Sequence, residues 1–252
     1  SGSVFSYSRA YLWFVLPHGL LAVSIATTFL PDMTRSITRK DKEQMIRQSA
    51  LGVRLIALVT MPAAFGLFVL RRPIIGAAFE HGGVTPADAL ETSRALAGFA
   101  LGLAGFSVYL FVIRVFYAHQ DARSPFMINL VENAINIALA VMLADRFGVL
   151  GLGAAFAVAY VVSALWSLQV LSYKVPGYPL RHTFAGLYRM LVAAAIMAQA
   201  VWMVARLVGG NTGVDALLRI GAGTATGIVV YLCVLLAMRA PEVGELRTRL
   251  GR

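Results

Sequence analysis

Long stretches without a charged side chain separate short clusters of charge, and this alternation restricts the chain to a membrane fold. Residues 10–31 and 147–173, for example, contain no Asp, Glu, Lys or Arg. Only 13% of the 252 residues are charged, whereas soluble domains carry roughly 25%. Each uncharged stretch has room for a bilayer-crossing helix of about 20 residues. We therefore predict an all-α, polytopic bundle of transmembrane helices with about seven spans.

Seven apolar segments are predicted to cross the membrane: residues 4–30, 52–79, 92–117, 125–144, 150–173, 184–208 and 216–238. Pro17 and Gly19 predict a kink in the first span, because proline removes a helical hydrogen bond. Pro62 and Pro73 are expected to break the second span. A tight turn at residues 145–148 joins the fourth and fifth spans.

The longest polar stretch follows the first span, which Pro31 is expected to end. Residues 32–48 carry several basic side chains, and within them Thr38 and Asp41 are spaced as a helix-capping pair. We interpret this stretch as a short helix that lies on the membrane surface.

Basic residues divide unequally between the two ends of the predicted bundle. One end holds fourteen: Arg35, Arg39, Lys40, Lys42, Arg47, Arg54, Arg123, Lys174, Arg181, Arg189, Arg239, Arg247, Arg249 and Arg252. The other holds seven: Arg9, Arg71, Arg72, Arg94, Arg146, Arg206 and Arg219. Cytoplasmic loops are enriched in Lys and Arg. The C-terminus is therefore predicted to be cytoplasmic and the N-terminus outside, which agrees with an odd number of spans.

The net charge of +10 does not indicate a nucleic-acid partner, because the basic residues stand at the ends of apolar stretches rather than on a water-exposed face. The four histidines share no metal-ligand spacing, and Cys233 is the lone cysteine. These patterns favour neither an enzyme nor a metal site, and we expect no cofactor.

Polar residues inside a predicted span are energetically unfavourable in lipid, so each of them indicates a structural or functional role. The fourth span contains Asn129, Glu132, Asn133 and Asn136, whose spacing places them on one helical face. One reading is a pathway for a substrate or an ion. The other is hydrogen bonding between helices. The carboxyl group of Glu132 favours the first reading, because a carboxyl group is the harder one to explain as structural.

Two arginines inside predicted spans raise the same question. Arg114 lies near the inner end of the third span, where its side chain can reach the cytoplasmic surface, and Glu132 is a candidate ion-pair partner. Arg9 lies near the outer end of the first span, where the kink could aim it at a central cavity. A guanidinium there suits a phosphate headgroup, although an interfacial anchor explains it equally well.

Small residues predict where helices pack closely. Gly98, Gly102 and Gly105 recur along the third span, and Gly223 and Gly227 have the same spacing in the seventh. Such spacing lets helix backbones approach each other in lipid.

Three stretches, in order along the chain, resemble motifs of the MurJ (MviN) family of bacterial lipid II flippases. Residues 114–125, RVFYAHQDARSP, resemble the family signature R-x-F-Y-A-x-x-D-x-x-T/S-P. Residues 16–19, LPHG, continuing to Pro31, resemble a helix of that family, and residues 79–85, FEHGGVT, resemble one of its loops. The resemblance covers essentially the whole chain.

This resemblance implies a fold of fourteen spans, arranged as two lobes followed by two additional helices. The chain would correspond to the eighth through fourteenth spans. Residues 1–183 would then form five spans of the C-terminal lobe, and residues 184–252 would form the two additional helices and a basic cytoplasmic tail. The N-terminal lobe would be the main partner of this part of the protein.

The resemblance also implies a function in the bacterial inner membrane. Lipid II, a muropeptide linked to undecaprenyl or decaprenyl pyrophosphate, would be flipped by alternating access, with its tail in a groove by the last two helices. Further partners would be membrane lipids and cell-wall assembly proteins. A cytoplasmic gate would include Arg114, His119, Asp121 and Arg123, and His119 stands where some members have a basic residue.

The headgroup site departs from the family. Tyr11 and Leu12 stand where many members carry an Asp-Arg pair, and Arg9, one turn earlier, is our candidate replacement. With the Asn129–Asn136 stripe, Arg9 completes the predicted substrate-binding set. Two alternatives remain: an exporter of another polyprenyl-linked glycan or small molecule, and a membrane scaffold for cell-wall assembly. The charge of the cavity in the other lobe, and the chain beyond Arg252, would distinguish them.

Overall fold

A computed structural model describes residues 2–79 and 85–238, with side chains from Phe5 onward. These residues are almost entirely helical. The elements are α1 (Gly2–Pro17), a π-helical turn (His18–Ala22), α2 (Val23–Thr38), α3 (Lys42–Phe79), α4 (Pro86–Ala118), α5 (Arg123–Lys174), α6 (Leu180–Leu207) and α7 (Gly213–Ala237). Within these described ranges, six continuous helical segments are long and apolar enough to cross a membrane, the first formed by α1, the π turn and α2 together. The chain is therefore a multi-pass, all-α membrane protein.

The longest helix, α5, folds back on itself at Gly148. A straight helix of its 52 residues would measure about 78 Å, far more than the roughly 30 Å hydrocarbon core. Gly148 takes φ 56° and ψ −135°, which glycine adopts readily. Asp121, just before the helix, lies 2.6 Å from Lys174 at its end. α5 is thus a hairpin with a first arm (123–147) and a second arm (149–174), and the chain has the predicted seven crossings.

The alternating helix directions define two ends of the bundle. The Asp121 end holds the connections at residues 39–41, 119–122 and 175–179. The Gly148 end holds the start of α1, the start of α4 and the connection at residues 208–212. Thr85 caps α4 there, because its hydroxyl accepts a hydrogen bond from the Asp88 amide.

The first crossing is more continuous than the sequence predicts. The kink expected at Pro17 and Gly19 takes the form of the π-helical turn. Pro31, in contrast, does not end the helix, because it lies inside α2, which continues to Thr38. Proline is tolerated in transmembrane helices when the surroundings satisfy the freed backbone groups.

The predicted surface helix at residues 32–48 does not form. The chain breaks only at residues 39–41, where Lys40 takes φ 57°. Asp41 accepts a hydrogen bond from the Gln44 amide at 2.9 Å and so caps α3. Thr38 is not part of this cap, because its hydroxyl donates to the carbonyl of Thr34.

Helix α3 also runs unbroken through Pro62 and Pro73, so the predicted breaks in the second span are wrong. Its length of 38 residues lets it contact α2, α4, α6 and α7 in turn. Prolines inside a membrane helix are tolerated where neighbouring helices pack closely around it.

Helix α4 occupies the centre of the bundle, between α1, α3 and the second arm of α5. A Cβ added at Gly98 would lie 2.7 Å from the backbone of Ala154, and one at Gly102 would lie 2.7 Å from Cα of Ala157. The predicted close approach at these glycines is therefore between α4 and the second arm.

Helices α6 and α7 pack against each other and against α3. A Cβ at Gly223 would meet Leu70 at 2.9 Å and Val201 at 3.3 Å. The Tyr231 hydroxyl donates to the carbonyl of Leu58 at 2.9 Å. An apolar groove of about 530 Å³ runs between the three helices.

The outward sides of α1 and of the first arm of α5 carry large apolar side chains that no other described element covers. Leu12 is 65% exposed and Val141 is 68% exposed. We call this the open face.

Candidate functional site

The polar stripe on the first arm of α5 lies at the border between the packed bundle and the open face. Glu132 is buried, with 1% of its surface exposed. Asn129 and Asn133 are exposed, and Asn136 is half-buried. The stripe therefore points in two directions: the carboxyl group faces into the bundle and two amides face outward.

A chain of hydrogen bonds fixes the outward side of the stripe. The Asn133 amide nitrogen donates to the side-chain oxygen of Asn129 at 2.9 Å. The Asn129 amide nitrogen in turn donates to the hydroxyl of Tyr109 on α4, at 3.2 Å. Tyr109 was not among the predicted site residues, because a tyrosine in an apolar span gives no signal of a polar contact until the neighbouring helix is known.

Glu132 has no ion-pair partner among the described residues. The predicted pairing with Arg114 is absent, and one carboxyl oxygen of Glu132, Oε1, is buried without a hydrogen bond. Tyr109 and Tyr160 lie within its electrostatic range. A buried carboxylate without compensation is very unfavourable, so this position calls for a proton or a cation.

Arg114 lies on the side of α4 that faces the first crossing. It is half-buried and within electrostatic range of His18 in the π turn. His18 is buried, and its Nδ1 lies 2.9 Å from the hydroxyl oxygen of Ser107 on α4. The ring also contacts Phe106, with centroids 4.7 Å apart. The π turn therefore presents a polar ring to α4 that the sequence pattern did not predict.

Arg9 lies at the Gly148 end of the bundle. Its guanidinium carbon is 5.1 Å from the centre of the Phe5 ring and 5.3 Å from that of Phe79, the last residue of α3. Asn129 lies in the part of α5 nearer the Asp121 end. The structure therefore places Arg9 and the polar stripe at different depths and does not join them.

The two residues that replace the family's Asp-Arg pair lie on the open face. Tyr11 is 38% exposed and packs edge-on against Phe99, with ring centroids 5.7 Å apart. Leu12 points outward beside it. Neither residue offers a charged group to a ligand.

Three of the four predicted gate residues, His119, Asp121 and Arg123, lie at the connection between α4 and α5, whereas Arg114 lies inside α4. His119 Nδ1 lies 2.9 Å from the carbonyl oxygen of Val115. Asp121 accepts hydrogen bonds from the amides of Arg123 and Ser124, each at 3.1 Å, and so caps the first arm. Arg123 itself is exposed.

Lys174 completes this cluster and was not among the predicted site residues. Its ammonium group donates to Oδ2 of Asp121 at 2.6 Å and ties the two ends of the hairpin together. This hydrogen bond, with those from Ser124, lowers the pKa of Asp121 to about 2. The two residues are 53 positions apart in the sequence, so the sequence alone does not predict their contact.

The sequence profile of the family described as "Lipid II flippase MurJ" matches residues 1–223. The chain belongs to the MurJ family. Residues 114–125, the most specific of the resembling stretches, span the end of α4, the Asp121 connection and the start of the first arm. Residues 16–19 enter the π turn, whereas residues 80–84 of the third stretch lie outside the described residues.

Curated members of the MurJ family match over most of this chain. The chain is 26% identical over 256 residues to "Probable lipid II flippase MurJ" of Rhizobium meliloti (strain 1021), covering 100% of this chain and 48% of that protein. It is 29% identical over 174 residues to "Lipid II flippase MurJ" of Thermosipho africanus (strain TCF52B), covering 69% of this chain and 34% of that protein. The chain spans about half the length of the curated relatives it matches.

A solved structure shares the fold. "Lipid II flippase MurJ, inward closed conformation" superposes with a TM-score of 0.79 at 24% identity, over 95% of this chain and 48% of that chain. The helical bundle is thus the fold of half of a MurJ-family protein.

Proposed function

We propose that this chain forms the second half of a flippase that moves lipid II from the cytoplasmic to the outer face of the bacterial inner membrane by alternating access. The observation that carries the proposal is the open face, where Asn129 and Asn133 lie exposed on a transmembrane helix. Amides at that depth are unfavourable against lipid. They are well suited to a wet cavity shared with the other half of a MurJ-family protein.

In this proposal the N-terminus of the chain lies outside and its C-terminus in the cytoplasm. The Gly148 end is then the outer end and the Asp121 end the inner one. Helices α1 to α5 form the lobe, and α6 and α7 are the additional pair. The unequal distribution of basic residues supports this orientation.

Arg9 is the proposed contact for the pyrophosphate of the substrate. Its guanidinium packs against the rings of Phe5 and Phe79. Stacking on an aromatic ring leaves the edge of a guanidinium free for phosphate oxygens. Because Arg9 lies at the proposed outer end, it would bind the headgroup late in the transport cycle.

Glu132 and the three asparagines are the proposed polar lining of the cavity. The buried, unpartnered oxygen of Glu132 supports a site that takes up a proton or a cation as the two halves move. The asparagines would contact hydroxyl and amide groups of the headgroup. Proton or cation uptake at Glu132 would link lobe movement to an ion gradient.

At the inner end, the proposed gate comprises Arg114, His119, Asp121 and Arg123. The Asp121–Lys174 ion pair holds the two arms of α5 together there. The arms would then move as one body when the inner side opens and closes.

The test uses the full-length protein in its own host. Its depletion should make lipid II accumulate on the cytoplasmic face of the inner membrane while the outer pool falls. Re-expressed wild type should restore the outer pool. Arg9→Ala and Glu132→Gln should not restore it at normal protein levels, whereas the controls Arg94→Ala and Glu43→Gln should. An unchanged distribution of lipid II after depletion would refute the flippase and favour another cargo or a scaffold.

A further inference from the structure

Four arginines from three helices line one pocket at the Gly148 end. Arg71 and Arg72 of α3, Arg206 of α6 and Arg219 of α7 surround a cavity of about 250 Å³ together with Asn211 and Trp202. They are four of the seven basic residues that the sequence assigns to this end. No carboxylate lines the cavity among the described residues. Four like charges at such close range repel each other, so the arrangement favours the presence of an anion.

Two of these arginines are held in place by uncharged acceptors. The guanidinium of Arg219 donates to the carbonyl of Val208 and to the side chain of Asn211, each at 2.7 Å, and also to the carbonyl of Gly209. Arg219 thereby satisfies carbonyl groups just beyond the end of α6. Arg71 donates to the carbonyl of Phe68. The positive charges are therefore fixed in position but not neutralised.

The other two arginines have no such local role. Arg72 and Arg206 are exposed, and neither forms an ion pair within the described part of the chain. The guanidinium carbon of Arg206 lies 3.7 Å from the centre of the Trp202 ring. Stacking of this kind orients a guanidinium and leaves the N–H donors at its edge available to a ligand.

A second cavity, of about 220 Å³, adjoins the arginine pocket on the side of α4. Arg72 and Asn211 line both cavities, so the two spaces meet at these side chains. The wall on α4 includes Pro86, Ala89 and Ser93, in its first two turns, where the helix dipole favours negative charge. Among the described residues, neither cavity shares a lining residue with the apolar groove between α3, α6 and α7.

A phosphate group fits this arrangement better than a carboxylate does. A phosphate monoester carries about −1.5 to −2 charges near pH 7, whereas a carboxylate carries one, and guanidinium groups bind phosphate oxygens through paired donors. We propose that the arginine pocket binds the phosphate of a phosphate ester, whose organic part lies in the adjoining cavity. The bound phosphate bridges α3 to α6 and α7. The site includes neither Arg9 nor the polar stripe, and it does not depend on the proposed transport activity.

The test measures binding of glycerol phosphate to purified full-length protein by isothermal titration calorimetry, in detergent and phosphate-free buffer. Glycerol controls for the organic part of the ligand, and acetate controls for a single negative charge. We expect one glycerol phosphate to bind, no binding of glycerol, and acetate binding at least about tenfold weaker. Inorganic phosphate should bind more weakly than glycerol phosphate, because it leaves the adjoining cavity empty.

Soluble esters and lipid headgroups offer the same phosphate chemistry, and a competition experiment separates these two sources. Phosphatidic acid carries the same monoester as glycerol phosphate. If it displaces glycerol phosphate at lower concentrations than glycerol phosphate itself needs for binding, the phosphate at this site belongs to a lipid headgroup. If it does not, the ligand is a soluble ester. Either result supports the phosphate site.

Three variants test which arginines bind the ligand. The double variant Arg72→Gln with Arg206→Gln should bind glycerol phosphate at least about tenfold more weakly, because it loses charge-assisted hydrogen bonds. Arg206→Lys keeps the charge but loses the paired donors, so its affinity should lie between those of the double variant and wild type. Arg94→Gln, an exposed change at the same end, is the matched control and should bind as wild type does.

Thermal unfolding shows whether the variants are folded. Without ligand, the double variant should unfold at the same temperature as wild type or at a higher one, because two of four like charges are removed. Glycerol phosphate should raise the midpoint of wild type and of Arg94→Gln but not that of the double variant, since a ligand that binds only the folded state stabilises it. If the double variant does not fold, Arg206→Lys is compared with Arg94→Gln instead.

Four outcomes would overturn the proposal. Wild type that binds no glycerol phosphate has no such site. Acetate that binds as tightly as glycerol phosphate, or an equal loss of affinity in Arg94→Gln, would mean that general surface charge attracts anions. Inorganic phosphate that binds more tightly than glycerol phosphate would exclude an ester from the adjoining cavity.

Discussion

Helix α4 and the first arm of α5 are neighbours with opposite relations to their surroundings. Along α4 nearly every side is covered, and Gly98 and Gly102 bring it against the second arm with no room for a methyl group. The first arm is covered on one side only, and it turns Asn129, Asn133 and large apolar side chains outward. The most closely packed helix and the least covered one are thus adjacent.

The two helices differ in the changes of contact that their packing allows. Close backbone packing in lipid depends on small residues, and it leaves no alternative arrangement. A half-covered helix with amides on its outer side can instead contact water, a ligand or another part of the protein. We infer that α4 and both arms of α5 move as one unit and that changes of contact take place on the open face.

The largest loss of stability is expected from filling the interface between α4 and the second arm. In Gly102→Leu the new side chain would begin 2.7 Å from Cα of Ala157, so the helices must separate. Overpacking of this kind costs about 1–3 kcal/mol or more. Thermal unfolding in detergent should show a strongly lowered midpoint. Ala138→Leu, at an exposed position of the first arm, should leave it nearly unchanged, and equal effects would contradict the comparison.

A smaller, pH-dependent effect is expected from the ion pair that closes the hairpin. The pKa of Asp121 is lowered to about 2, so the pair stabilises the fold above the unfolded pKa of about 3.9. This stabilisation is lost as the pH falls from about 4 to about 2. Because Lys174 is 48% exposed, the gain is less than about 1 kcal/mol.

The variant Lys174→Met should remove that pH dependence. Thermal unfolding of wild type and variant should differ at pH 5 and converge near pH 2. Arg181→Met, an exposed change at the same end of the bundle, should show no such convergence. A constant difference at every pH would mean that the lysine acts through its methylene groups rather than its charge.

The smallest effect is expected from the outward amides. Asn129→Ala removes the hydrogen bond to Tyr109, and polar contacts between membrane helices average about 0.6 kcal/mol. The matched change Asn133→Ala removes only a bond within the helix and should cost less. Double-mutant cycles with Tyr109→Phe would measure the first contact directly. A coupling as large as the loss in Gly102→Leu would mean that the open face is packed as tightly as α4.

Much of the fold follows from the apolar pattern. The seven crossings, the turn near Gly148 and the close approach at Gly98 and Gly102 were predicted because hydrocarbon length and backbone packing act locally. The errors came from applying to membrane helices the rules for proline that hold for helices in water. Pro31, Pro62 and Pro73 were expected to end or break helices, but the neighbouring helices in this bundle support the backbone around them.

The candidate site was less predictable, because its contacts join distant parts of the chain. The spacing of Asn129 to Asn136 identified the stripe, but not that Glu132 would turn into the bundle. The partners Tyr109 and Lys174 are separated from Asn129 and Asp121 by 20 and 53 residues of sequence. An ion pair with Arg114 was predicted for Glu132 because the two residues lie in neighbouring spans. In the structure Arg114 faces the first crossing instead.

The π-helical turn at His18–Ala22 has a consequence for how this chain can tolerate insertions and deletions. A π turn accommodates one residue more than an α turn. Deleting a single residue there would restore a regular helix and leave the faces of α2 where they are now, because the π turn already absorbs the extra residue. A one-residue deletion in the regular helix between the π turn and Phe29 would instead rotate the rest of α2 by about 100°, and Met33 and Phe29, now buried against α3, would turn toward lipid. The π turn is therefore a position at which this crossing tolerates the loss of one residue.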